Sequence, residues 1–75
     1  MTNPIEGVDY FVRMIPFPSY RLGGVVTPNE DGTYSIYINS RLDSAYQRRA
    51  YEHEVRHIIN EDLHGELDIS TVEDI

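Results

Sequence analysis

SAYQRRAYEHEVRHIIN, residues 44–60, contains neither glycine nor proline, and it leads into a stretch, 51–64, that holds all three histidines of the chain. A helix is the expected conformation, starting near Asp43 or Ser44. Ser44 and Gln47 fit a capping box, and Gly65 is a natural stop. Along that helix Ala45, Arg49 or Ala50, His53 and His57 follow one ridge, with the small Ala50 leaving room one turn before His53. Tyr51, Val55, Ile58 and Ile59 form an apolar side that requires a partner. In a chain of 75 residues only about 60–65% of the unfolded surface can be buried. The partner is therefore expected to be a small sheet, and the whole chain, 1–75, one thin-cored domain.

The preceding sequence supplies strands for that sheet. TYSIYIN, 33–39, alternates Tyr34, Ile36 and Ile38 against Ser35, Tyr37 and Asn39, the period of a half-buried strand. RLGGVVT, 21–27, is a second candidate, and Gly23-Gly24 marks a bulge or a close backbone approach. PNEDG at 28–32 is the turn between them. YFVRMI, 10–15, is rich in aromatic and branched residues and reads as a short edge strand. Pro16 and Pro18 then interrupt regular hydrogen bonding, and Phe17 with Tyr20 is expected to fold back as an apolar lid. The expected class is α+β, with a small antiparallel sheet of about three strands packed against the helix. Beyond Gly65, Ser70-x-x-Glu73 is a second capping-box pattern that opens a helix. Residues 66–75 otherwise read as a frayed or truncated tail.

Charge and composition exclude several functions. Thirteen acidic residues face six basic ones, for a net charge of −7, and such a surface repels nucleic acid and anionic membrane. Without cysteine there is neither a disulfide nor a thiolate ligand or nucleophile, as suits a reducing cytoplasm. No apolar run approaches the ~20 residues that span a bilayer, and the N-terminus lacks the pattern of a secretory signal. A cytoplasmic location is the expectation.

The chemistry lies in His53-Glu54-x-x-His57. Residues four apart on a helix lie one turn apart on the same face, so the two imidazoles can meet one ion. Glu54, one residue round from His53, falls near the rim of that face, where it can take a proton from water. Zinc suits two neutral imidazoles, which leave room for an oxygen ligand and a water. The alternative is that both are ordinary helical histidines beside acidic neighbours. Asn39 and Asn60 read as backbone caps or turn formers, and the tyrosines as packing residues.

A wider pattern surrounds the motif. DGTYSIYI followed by INSRL-x(10)-HE-x-x-H-I-x-N-x-D, ending at Asp62, resembles the small zinc-dependent peptidases of the ImmA/IrrE-like group. The likeness is greatest to the short forms encoded by bacteria, prophages and mobile elements. The resemblance covers roughly residues 24–62. It implies a minimal gluzincin-like (zincin-like) fold, His53 and His57 as zinc ligands, and Glu54 as general base. It also implies a protein or peptide substrate, such as a transcriptional repressor with a helix-turn-helix domain.

The third ligand departs from that pattern. Longer members take it from a glutamate on a following helix, and here the corresponding residue is Glu73, with no alanine after it. Asp62, nearer the motif, is the preferred candidate, because it needs only a bend past Asn60. His64 ranks after both, its spacing from His57 being seven where the HExxHxxGxxH zincins have six. The runner-up to a peptidase is a zinc-binding regulatory or adaptor protein of the same fold without turnover.

Overall fold

A computed structural model describes residues 3–60 and the strand at 68–71. In chain order the elements are β1 (Tyr10–Ile15), β2 (Leu22–Pro28), β3 (Tyr34–Asn39), α1 (Ser44–Asn60) and β4 (Asp68–Thr71). The strands form one sheet in the order β1-β3-β2-β4. β2 and β3 make the expected hairpin, pairing Val26 with Ile36. At its turn Gly32 takes a φ of +90°, a conformation that costs glycine little. Asp31 accepts from the Thr33 hydroxyl and amide. Those bonds, the hydroxyl first, hold its carboxyl below the usual carboxylate range.

The sheet is mixed, which corrects the antiparallel expectation. β1 runs parallel to β3, in register from Tyr10 with Tyr34 to Ile15 with Asn39. Residues 16–21 turn the chain back from β1 into β2, but they leave a gap of two strand spacings, about 9.6 Å. β3 occupies that gap. Being antiparallel to β2, it is necessarily parallel to β1. A fourth strand, β4, adds to the other side of β2, where the second capping box suggests a helix beginning at Ser70.

Asn39 organises the turn-back. It is fully buried, and its Oδ1 accepts from the amides of Phe17 and Arg41, both at 3.1 Å. Its Nδ2 donates to the carbonyls of Ser19 at 3.0 Å and Leu22 at 2.8 Å. Arg41 adds a bond from its guanidinium to the Phe17 carbonyl. Phe17 is buried as expected, whereas Tyr20 is exposed and lies under the Arg41 guanidinium, 4.1 Å from the ring centre.

α1 covers β2, β3 and β4. Asp43 is its cap, Oδ1 accepting from the Tyr46 amide at 3.0 Å. The Gln47 side chain donates from Nε2 back to the Leu42 carbonyl, so the Ser44–Gln47 box does not form. The core is Tyr10, Val26, Ile36, Ile38, Ala50 and Ile58, flanked by Val12, Tyr34, Tyr51 and Val55. Each fully buried isoleucine contributes about 1.5–3 kcal/mol. Ile59, expected in this set, is instead exposed. Both expectations for the glycine pair hold. The β2–β4 register shifts between Leu22 and Gly24, and a Cβ on Gly24 would meet Ala50 Cβ at 3.5 Å and the Tyr37 carbonyl at 3.1 Å. Ala50 thus fills the seam between α1 and β2 and does not open a ligand face.

Candidate metal centre

The centre is built by the phase of α1. Ala50, Glu54 and Ile58, spaced by four, are its buried residues and define the stripe that lies on the sheet. Each step along a helix rotates the side chain by about 100°, so His53 and His57 fall on one flank of that stripe. Tyr51 and Val55 fall on the other. Tyr51 fixes the assignment of flanks, because its hydroxyl meets that of Tyr10 on β1 at 2.6 Å. The histidines are therefore on the flank turned away from β1.

His53 is exposed and His57 half-buried. Their Nε2 atoms are 3.0 Å apart, with ring centres 4.6 Å apart and the rings nearly perpendicular at 76°. Two zinc–nitrogen bonds of ~2.05 Å at a tetrahedral angle separate the nitrogens by ~3.3 Å. The pair can thus chelate one ion with a small rotation of either ring. Without an ion, the same approach requires one Nε2 to carry a proton and the other to accept it. The ligand atoms of His53, Glu54 and His57 all lie within 4.8 Å of one another. Two imidazoles with a carboxylate beside them are a group that could hold a metal ion.

Glu54 sits deeper than the sequence suggests. The 100° step from His53 carries it off the rim into the sheet-facing stripe, between Ala50 and Ile58, where its relative exposure is 0%. Asp62, His64 and Glu73, the three candidates for a further ligand, lie outside the described residues.

One polar cluster has no signature in the sequence. Tyr51 donates to Glu6 Oε1 at 3.1 Å as well as meeting Tyr10, and the contact with Tyr10, then burial and Glu6, push its hydroxyl well above the usual tyrosine pKa. The partners are more than forty residues away in the chain, so no local spacing reveals them.

Comparison of the chain with protein-family models, curated proteins and solved structures finds no match. The geometry of the helix therefore stands by itself. Among the described residues, no helix is long and apolar enough to cross a membrane.

Proposed function

We propose that this chain is a small zinc-dependent peptidase of the ImmA/IrrE-like kind, hydrolysing a peptide bond in a protein substrate such as a helix-turn-helix repressor. The observation that supports it is the approach of the His53 and His57 Nε2 atoms to 3.0 Å with the Glu54 carboxylate within 4.8 Å. His53 and His57 hold the ion as neutral imidazoles. Zinc supplies a Lewis acid that lowers the pKa of water and polarises a carbonyl. Glu54 takes one proton from the attacking water and passes it to the leaving amine, so that a C–O bond forms as the C–N bond breaks. Burial in the stripe between Ala50 and Ile58 limits the rotamers Glu54 can sample, which fixes the base relative to both imidazoles.

The same burial favours a second reading, a metal-binding regulatory protein without turnover. A carboxylate with no exposed surface reaches a substrate water only if the helix–sheet seam admits one. Glu54→Gln separates the readings, because it keeps shape and removes the base. Zinc-loaded wild type is expected to cleave a candidate repressor, and zinc-loaded Glu54→Gln to be slower by about 10²–10⁴-fold at equal zinc content. Equal rates would remove Glu54 from the chemistry. Zinc retained by both proteins with cleavage by neither would favour the regulatory reading.

A further inference from the structure

β1 is an outer strand with the composition of an inner one. Strands buried on both faces, parallel ones above all, read as near-continuous apolar runs. YFVRMI is such a run, and it lies parallel to its neighbour β3. Yet Phe11, Met14 and Ile15 are 43%, 50% and 39% exposed. Its backbone is oriented for a further partner. The Asp9 carbonyl accepts from the Tyr34 amide and the Ile15 carbonyl from the Ser40 amide, so these alternate positions turn toward β3. Successive residues of a strand direct their N–H and C=O groups to opposite sides. Val12 and Met14 therefore present theirs at the outer edge. Above that edge α1 stops short, leaving a groove of about 470 Å³ floored by Val12 and Met14 and walled by Tyr51. Its rim carries Glu6, Glu52 and Arg48.

We propose that this edge and groove bind an extended segment of a partner protein, added to β1 as a fifth strand, whose groove-facing side chains are apolar except for a lysine or arginine that meets Glu6 and Glu52. Backbone bonds to Val12 and Met14 would hold it, and its groove-facing side chains would cover the apolar floor. Charge selects the occupant. Two carboxylates face one guanidinium on the rim, and the chain as a whole carries −7, so a basic segment is attracted. A second copy of the chain would bring the same negative charge. The groove lies on the Tyr51 flank of α1, opposite the histidines, so an occupant there leaves His53 and His57 uncovered. It requires no metal.

The test uses two labelled eight-residue peptides that alternate valine with threonine, with one valine replaced by lysine in the first and by glutamate in the second. Fluorescence anisotropy would be read together with amide exchange by NMR, on metal-free protein. The lysine peptide is expected to bind at least tenfold more tightly than the glutamate peptide. At saturation it should slow exchange of the Val12 and Met14 amides at least tenfold. Met14→Pro removes one of those amides at an edge position that tolerates proline, and should abolish binding. Glu52→Lys, on the exposed face of α1, should weaken it several-fold and keeps the test valid if Met14→Pro does not fold. Any of four results would overturn the proposal: no binding, equal binding of both peptides, binding that leaves the Val12 and Met14 amides unprotected, or a dimer formed through β1 in the free protein.

Discussion

The hydroxyls of Tyr10 and Tyr51 meet at 2.6 Å, joining the first strand to the middle of the helix that carries the motif. Tyr51 also reaches Glu6, and its hydroxyl is held protonated above the ordinary tyrosine range. In the unfolded chain it titrates near pH 10. A group whose folded pKa is raised contributes stability that is fully present below the unfolded pKa. That stability is lost as pH climbs through the folded value, because there the native state binds the extra proton. Denaturant melts of wild type should therefore lose stability above pH ~10, while Tyr51→Phe should show a flatter decline. At neutral pH the variant should lose about 1–2 kcal/mol. Parallel alkaline profiles for the two proteins would contradict the assignment.

Zinc should bind at about one ion per chain through the facing imidazoles. Elemental analysis after dialysis is the direct measurement. His53→Ala and His57→Ala should each lower zinc affinity at least a hundred-fold, ~2.8 kcal/mol. Metal content unchanged in the double variant would end the metal reading.

Zinc affinities of Asp62→Ala, His64→Ala and Glu73→Ala, measured in one buffer, rank the further ligand. Asp62→Ala is expected to lose tenfold or more, ~1.4 kcal/mol. If it binds as wild type does and either of the others loses that much, the preference for Asp62 is wrong.

Asn39 offers a test of the fold. Asn39→Ala removes an acceptor and a donor that together serve four backbone groups, and should cost about 2–4 kcal/mol. Asn39→Asp should cost more, because it turns a carboxylate oxygen toward the Ser19 and Leu22 carbonyls. Chemical denaturation distinguishes the two, and an Asp variant as stable as wild type would contradict the bonding pattern.

Gly24→Val should destabilise by about 1–3 kcal/mol. A Cβ there stands 3.1 Å from the Tyr37 carbonyl and 3.1 Å from Ile38 Cδ1, and the backbone oxygen has little room to yield. A thermal melt within a degree of wild type would show that the helix and strand can separate without cost.

Local pattern carried the elements, and long-range pairing escaped it. The alternation of Ile36 and Ile38, the proline-free run of α1 and the two glycines of β2 each produce the expected structure, because each depends on near neighbours. The parallel partner of β1 does not follow from YFVRMI. Whether a six-residue turn-back closes a hairpin or leaves a slot for another strand is decided by Asn39, far along the chain. Likewise HExxH brings His53 and His57 together through helical period alone. The depth of Glu54 depends on which stripe of the helix the sheet covers, and Tyr51 and Ala50 set that phase.

The slot between β1 and β2 also orders assembly in time. The β2–β3 hairpin closes over a short turn, whereas β1 must find β3 across the whole stretch from Tyr10 to Tyr34, and longer loops close at greater entropic cost. Hairpin and helix can therefore form before the first strand docks. Substitutions in β1 should then speed unfolding more than they slow folding, and the N-terminal strand is where partial opening would begin.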